Sequence, residues 1–280
     1  MRNYILILMV LFAFSCKNNN QNAPQPVQKS DKENTVSIQD TDIVSDTIVD
    51  EVPVEEPVIQ LLSKHELSEN DLYTDYDGGN QLADYFLIEL IDEDIYDKNK
   101  SLAINMMSRD TSLISTEEGI LILPYKKGKV ELMDNPEDGD DFRKYTYIGE
   151  ISYLDAYLIR GLYWEDWDYF LIGKNSGERI QTFINMPYLS ADGKYIVSLD
   201  FDSIEGVAFI ELYEVTDDKQ VEPVIGMYTK KWIPINTTTS IYWGNDNYLY
   251  VPVVHNKDYW AAEGNYKGID QYIRLRPIGS

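Results

Sequence analysis

Three patterns of apolar and polar positions divide the chain. Residues 4–14 form an unbroken apolar run of 11 residues, well short of the roughly 20 that a membrane-spanning helix needs. Residues 17–58 contain no aromatic side chain and carry several prolines, amides and acids, a composition that predicts a disordered linker. From residue 59 to residue 280, short apolar bursts alternate with polar turns. This last part is predicted to be the folded domain.

The bursts of the folded part predict strands, because they are short and rich in β-branched and aromatic residues. The predicted fold class is therefore all-β. One segment is ambiguous, since Leu82, Tyr85, Phe86 and Leu90 would also share one face of a helix. The five clearest central strands are expected at residues 86–90, 120–123, 169–172, 209–213 and 272–275.

One pentapeptide occurs twice in the folded part. Asp-Tyr-Phe-Leu-Ile stands at residues 84–88 and again at residues 168–172, an offset of 84, or twice 42. A period of about 40 to 45 residues is typical of a four-stranded propeller blade. Chance repetition is the alternative, because the chain is rich in these residue types. The repeat favours a strand over a helix for the ambiguous segment.

A tight turn followed by an alternating strand is predicted at residues 189–198, LSADGKYIVS, where Gly193 can adopt positive φ. This stretch resembles the turn and strand of periplasmic, WD-like β-propeller repeats, with Ala191 in the place of the usual proline. Residues 243–251, WGNDNYLYV, resemble a degraded second copy. The resemblance implies a propeller-like ring of antiparallel sheets, about four to five blades after the disordered N-terminal stalk. It also implies that partners bind on one face or in the central channel.

The first sixteen residues resemble the signal peptide of bacterial lipoproteins. Arg2 precedes the apolar run, and Ala-Phe-Ser stands before Cys16, the only cysteine of the chain. Phe14 is bulkier than the residue usual at its position, and cleavage elsewhere is the alternative. The resemblance implies a signal peptide at 1–15, a linker at 16–58 anchored through acyl chains such as palmitate on Cys16, and a folded domain at 59–280. It also implies a place in the cell envelope, facing the periplasm.

Charge limits the partners of the chain. The net charge is −24, and removal of residues 1–15 leaves 23 basic against 48 acidic residues. Such a surface repels nucleic acid and anionic lipid headgroups. We therefore expect no nucleic-acid binding and attachment to the membrane only through the acyl chains. Basic envelope proteins and neutral glycans are the expected partners. Acylation of Cys16 would leave no free thiol, which excludes disulfides and thiol catalysis.

A hairpin of aromatic residues is the most specific candidate for a ligand-binding site. Strands at residues 157–164 and 167–172 would be joined by a two-residue turn at Glu165 and Asp166. Trp164 and Trp167 would then face each other across the hairpin. They could form an aromatic platform for sugars or peptides, with the two acids as polar contacts. The alternative is a purely structural pair that stabilises the hairpin.

The remaining candidates for chemistry are weak. His65 and His255 are the only histidines and have no metal ligand at a typical spacing nearby. No serine-hydrolase elbow and no phosphate-binding glycine loop is present. Acidic clusters could bind calcium, best at Asp75 and Asp77, although solvated turns are the simpler interpretation. We therefore expect no resident cofactor, with calcium as the one candidate.

Three functional hypotheses remain open. The first is a membrane-tethered binding or scaffold module of the cell envelope that is not an enzyme. The second is an inhibitor or immunity-type protein that neutralises a basic envelope enzyme. The third is an envelope hydrolase that uses carboxylates, with the aromatic hairpin as a subsite.

Overall fold

The computed structural model describes residues 65–73, 81–137, 139–202, 206–235, 240–261 and 270–279. These residues belong to one unit, Ile59–Ser280. The predictions that concern the signal peptide, Cys16, the linker, Asp75 and Asp77 fall outside the described residues. Among the residues that are described, no helix is both long enough and apolar enough to cross a membrane.

Strands dominate the described residues, which also contain three short α-helices and two 3₁₀ helices, Glu69–Asp71 and Ser152–Leu154. The α-helices are α1 (Leu82–Tyr85), α2 (Glu93–Lys100) and α3 (Asn256–Ala261). The first nine strands are β1 (Phe86–Ile91), β2 (Met107–Ser108), β3 (Ser115–Glu117), β4 (Ile120–Tyr125), β5 (Gly128–Met133), β6 (Arg143–Ile151), β7 (Ala156–Tyr163), β8 (Trp167–Gly173) and β9 (Arg179–Phe183). The others are β10 (Pro187–Leu189), β11 (Tyr195–Asp202), β12 (Val207–Val215), β13 (Val221–Thr229), β14 (Trp232–Pro234), β15 (Tyr242–Trp243), β16 (Leu249–His255) and β17 (Gln271–Pro277).

The strands form four antiparallel sheets, and apart from β1 and β2 each sheet consists of strands that are consecutive in the chain. The first sheet has the order β3-β4-β5, and the second has the order β2-β6-β7-β8-β9. The third sheet is the four-stranded meander β10-β11-β12-β13. The fourth has the order β1-β17-β16-β14, with β15 also paired to β16. The predicted all-β class is confirmed.

The cores lie between consecutive sheets. Leu123 of the first sheet and Phe170 of the second share one buried cluster. Leu171 of the second sheet packs with Ile196 of the third in another. The largest cluster joins the third sheet to the fourth and includes the fully buried Trp232. Because successive side chains of a strand point to opposite faces, the central strands bury both faces between neighbouring sheets.

The fourth sheet joins residues from the two ends of the folded unit. β1 pairs with β17 in antiparallel register, with Ile88 opposite Leu275. Of the ambiguous segment, residues 80–97, the part at residues 86–91 is a strand, as predicted, whereas Leu82 and Tyr85 lie in α1 and residues 93–97 lie in α2. Gln81 and Asp84 form a capping box at the start of α1. In this arrangement the side chain of each residue accepts the backbone N–H of the other.

The predicted turn before β11 is present. Gly193 has a φ of +74°, and its N–H donates to the Ser190 carbonyl oxygen at 2.9 Å. The Ser190 hydroxyl then accepts N–H groups from Lys194 and Tyr195. β11 and β12 form the hairpin that follows this turn, and they pair from Tyr195 to Asp202. The stretch at residues 243–251 also contains a turn, at residues 244–247, that enters a strand, β16.

Candidate ligand-binding groove

An acidic groove lies between the second and third sheets and contains three of the four predicted ligand-binding residues. Its volume is about 680 Å³, within the range of small-molecule and peptide sites. β8 and β9 supply one wall, and β11 and β12 supply the other. The lining residues are Glu165, Asp166, Trp167, Asp168, Thr182, Phe183, Ile184, Asp200, Phe201 and Glu211.

The tip of the β7–β8 hairpin differs from its prediction by one residue. The Tyr163 N–H donates to the Asp166 carbonyl oxygen at 2.8 Å, so Trp164 and Glu165 are the two loop residues. Trp167 pairs across the hairpin with Leu162. The predicted pairing of Trp164 with Trp167 is therefore wrong. Both tryptophans are exposed, at 51% and 38%, and Trp164 does not line the groove.

Asp168 fixes the geometry of the hairpin. The Tyr163 hydroxyl donates to Asp168 Oδ1 at 3.0 Å, and Arg179 donates to Asp168 Oδ2 at 3.4 Å. The Arg179 guanidinium lies 3.6 Å from the ring centre of Phe170. Burial and the neighbouring Asp168 raise the pKa of Tyr163 to about 12, so its hydroxyl remains a donor at neutral pH. The Asp168 carboxylate thus already has two protein partners.

The opposite wall carries a more buried carboxylate. Glu211 Oε2 accepts the N–H of Ile184 at 3.1 Å. Burial raises the pKa of Glu211, and the charge of Asp200 raises it further. The Asn185 side-chain amide donates to Asp200 Oδ1 at 2.9 Å. Two acids on this wall therefore stand in different environments.

The groove is suited to cationic and aromatic groups. Five carboxylates line it, and its described lining contains no lysine or arginine. Trp167 and Phe201 add apolar area, and Trp167 can also stack on a cation. Within the described part of the chain, no group of three or more His, Cys, Asp or Glu side chains is arranged to hold a metal. Calcium binding at Asp75 and Asp77 stays a prediction.

The structure brings the two histidines together, which the sequence did not indicate. His65 Nδ1 lies 2.6 Å from Asp258 Oδ1, and the His65 N–H donates to Asp258 Oδ2 at 2.9 Å. The ring centres of His65 and His255 are 5.3 Å apart. Burial lowers the pKa of His255, and the charge of His65 lowers it further. No local motif could reveal this cluster, because 193 positions separate His65 from Asp258.

The chain matches no protein-family model, no curated protein and no solved structure.

Proposed function

We propose that this protein is a membrane-tethered binding module of the cell envelope whose acidic groove binds a basic polypeptide. The observation that carries the proposal is the grouping of five carboxylates with Trp167 in one groove. Extended basic segments offer several ammonium or guanidinium groups at once, and complementary charge speeds their association. The net charge of −24 adds a long-range attraction in the same direction.

The two acids of the hairpin tip are the contacts best placed for a partner. Glu165 and Asp166 are both exposed, whereas Asp168 is held by Tyr163 and Arg179. A cation can bind these tip acids while Asp166 Oδ1 keeps the Trp167 N–H, which it accepts at 2.8 Å. Trp167 lies next to them and offers a partly exposed ring.

Titration of the purified full chain with tetralysine and tetraglutamate tests the charge preference. We expect binding of tetralysine only. Its affinity should fall about tenfold or more between about 0.01 M and about 0.15 M ionic strength, as the Debye length shrinks from about 30 Å to about 8 Å. Equal binding of both peptides, or affinity that does not change with salt, would contradict the proposal.

A matched pair of double variants separates the groove from the general field of the protein. Glu165→Gln with Asp166→Asn removes two charges at the hairpin tip. Asp94→Asn with Glu222→Gln removes two exposed charges on α2 and β13. We expect the first pair to weaken tetralysine binding about tenfold and the second less than about twofold. Equal losses would mean that net charge, and not the groove, attracts the peptide.

The same groove would serve the inhibitor hypothesis if the partner is a basic envelope enzyme. Such a complex would block the enzyme when the bound segment lies at its active site. Addition of the full chain to a basic wall hydrolase should then reduce the turnover of the hydrolase at low salt. Raising the salt concentration should restore that turnover. Binding without loss of turnover would favour the scaffold hypothesis.

A second candidate function, a hydrolase, is favoured by one observation. Burial raises the pKa of Glu211, which shares a groove wall with Asp200, and a carboxylic acid with a raised pKa is what general acid catalysis needs. Incubation of the purified chain with peptidoglycan would test it. Release of soluble glycan that Glu211→Gln abolishes would support the hydrolase function. The absence of any release would contradict it and would favour the binding module.

The tether rests on the resemblance of residues 1–16 to lipoprotein signals. We propose acylation of Cys16 after cleavage at residue 15, with residues 16–58 as the linker. Labelled palmitate should enter the wild-type chain and not Cys16→Ser, and the variant should leave the membrane fraction. A variant that stays in the membrane fraction would contradict the acyl anchor.

We also propose that the four sheets are four blades of a propeller-like ring. Their sequential order and the pairing of β1 with β17 support this arrangement, as does a bridge from Ile104, ahead of the first sheet, to Trp243 of the fourth. A crystal structure tests it through the position of the first sheet. Packing of that sheet against the fourth would close the ring.

A further inference from the structure

The β7–β8 hairpin and its neighbour β9 hold one arginine of the chain between an aromatic ring and a carboxylate. The Arg179 guanidinium lies over the ring of Phe170, with its central carbon 3.6 Å from the ring centre. Its Nη1 donates to Asp168 Oδ2 at 3.4 Å. A guanidinium is flat, so its face can contact a ring while the N–H groups at its edge bind a carboxylate. This site shows how the fold binds an arginine side chain.

The fourth sheet repeats this arrangement. Arg274 lies 4.3 Å from the ring centre of Tyr248 and pairs with Glu89 at 2.6 Å. Lys174 also pairs with a carboxylate, but its ammonium lies 4.9 Å from the ring centre of Tyr157. An ammonium is a strongly hydrated point charge and has no flat face with which to contact a ring. Of these three cations, the two arginines lie closer to their rings.

Trp167 presents a ring on the other face of β8. Successive side chains of a strand point to opposite faces of the sheet. Tyr169 and Leu171 belong to the core between the second and third sheets, and Phe170 belongs to the core between the first and second. Trp167 therefore points with Tyr169 toward the third sheet, where it lines the acidic groove. The residue is 38% exposed, so its ring is accessible to a ligand.

Carboxylates come to this groove from both walls. Glu165 and Asp166 immediately precede Trp167 in the chain and are exposed. Glu211 lies on the opposite wall and faces the space between the second and third sheets, because Tyr213, two positions later, belongs to that core. The described lining contains no lysine or arginine. The groove therefore has the ring and the carboxylates of the two internal sites, but no cation from its own described lining.

We propose that the groove recognises an arginine side chain of its partner, stacked on Trp167 and bound through its N–H groups to Glu165 and Asp166. This inference rests on the proposed function and specifies the partner as a basic segment that carries arginine rather than lysine. A guanidinium is more weakly hydrated than an ammonium and loses less when it leaves water. It also uses a ring and a carboxylate at the same time, whereas an ammonium gains mainly from charge.

Two peptides of equal length and equal side-chain charge test the preference. Tetra-arginine and tetralysine are each titrated into the purified full chain at the same low ionic strength, so that screening is the same for both. We expect tetra-arginine to bind about three- to tenfold more tightly, because only arginine combines ring stacking with a bidentate carboxylate contact.

A matched pair of tryptophan variants assigns the preference to one ring. Trp167→Leu removes the ring that lines the groove. Trp164→Leu removes a ring of the same chemistry that is more exposed, at 51%, and does not line the groove. We expect Trp167→Leu to bring the affinity for tetra-arginine to within about twofold of that for tetralysine, and Trp164→Leu to keep the wild-type preference. Thermal unfolding shows whether each variant is folded.

A measurement on the wild-type chain makes the test independent of the folding of any variant. The chain is isotope-labelled at its indole nitrogens and followed by NMR. At equal saturation, tetra-arginine should shift the Trp167 side-chain signal more than tetralysine does. The signals of Trp232 and Trp243, which are 0% and 2% exposed, serve as internal controls and should not move.

The results that would overturn the inference differ from those that would overturn the proposed function. Equal affinity for the two peptides would refute the preference for arginine and leave the groove as a general site for basic segments. A preference that survives Trp167→Leu, or that Trp164→Leu abolishes equally, would remove Trp167 as the contact. A Trp167 signal that does not move at saturation would do the same. Binding of neither peptide would refute the proposed function, and this inference with it.

Discussion

The second and fourth sheets contain the same pentapeptide, Asp-Tyr-Phe-Leu-Ile, and use it differently. In the second sheet it lies wholly within β8, a strand with neighbours on both sides and a core on each face. In the fourth sheet its first two residues end α1, and the other three begin β1 at the edge of the sheet. The sheet around a strand therefore determines which of its residues are buried.

The two sheets also differ in how they are assembled. β6 to β9 of the second sheet are consecutive and joined by short connections. The fourth sheet instead pairs β1 with β17, and Phe86 with Pro277. Contacts between distant positions carry a larger loop-closure cost and form later in folding. The second sheet should thus be the more autonomous of the two, and four predictions test this difference.

The largest effect should come from placing a carboxylate at the fourth residue of each copy. Leu171 is fully buried, so Leu171→Asp should cost about 5 kcal/mol or more and prevent folding. Leu87 is only partly buried, and Leu87→Asp should cost about 1 kcal/mol. Urea denaturation measures both. Similar losses would mean that the two copies are equivalent.

The phenylalanines of the two copies provide a matched pair with equal burial. Phe86 and Phe170 are 1% and 0% exposed, so each change to alanine should cost about 3–5 kcal/mol. We expect Phe170→Ala to slow folding and Phe86→Ala mainly to speed unfolding, because β1 joins its sheet late. Stopped-flow refolding and unfolding measure the two rates. The reverse partition would show that the fourth sheet forms first.

A smaller effect is expected from an ion pair between β1 and β17. Arg274 Nε lies 2.6 Å from Glu89 Oε2, and the side chains are 29% and 36% exposed. Solvent screening limits such a pair to about 0.2–1 kcal/mol. Glu89→Gln should therefore lower the unfolding free energy by that amount. A double-mutant cycle with Arg274→Met isolates the pair, and a coupling near zero would show that it adds nothing to the closure of the fourth sheet.

The smallest effect is a local dependence on pH at the end of β16. His255 has a pKa below the usual 6.5 because of burial and the charge of His65, so the unfolded chain binds a proton before the folded chain does. Stability is therefore lost as pH falls from about 6.5 toward the pKa of the folded state. Asp71 and Asp258 oppose the shift and Lys231 adds to it.

Amide hydrogen exchange locates this effect. Protection of β16 should fall between about pH 7.5 and about pH 5.5, after correction for intrinsic rates, while that of β7 should not. His255→Asn keeps an acceptor for the Lys257 N–H, which His255 Nδ1 accepts at 3.1 Å, and should remove the dependence. An equal loss of protection in β7 would indicate a global cause.

Local patterns predicted the strands and turns well. The bursts at residues 120–123 and 169–172 lie within β4 and β8, because alternating apolar residues need only a local sheet to bury them. The turn at Gly193 required positive φ and has it. The β7–β8 turn was displaced by one residue, because nothing in the loop sequence fixes which carbonyl the Tyr163 N–H will contact.

Contacts between distant positions were not predictable in the same way. Of the residues that line the groove, the sequence predicted only Glu165, Asp166 and Trp167 as ligand contacts. Asp200 and Glu211 come from other strands and were not predicted. The His65–Asp258 contact depends on packing between elements that are distant in the chain. The same is true of the buried Tyr188 hydroxyl, which has no hydrogen bond. Sequence patterns give no distance between such positions.

The contacts of residues 65–67 have a mechanical consequence. Asp258 holds the backbone and ring of His65. The Leu67 N–H donates to the Gln271 side chain at 2.6 Å, and that side chain donates back to the Leu67 carbonyl at 3.2 Å. If the preceding chain is an anchor, a pulling force reaches these two side-chain contacts before it reaches any of the strands β1 to β17. These hydrogen bonds would break first, and the force would act on the sheets only after both contacts had been lost.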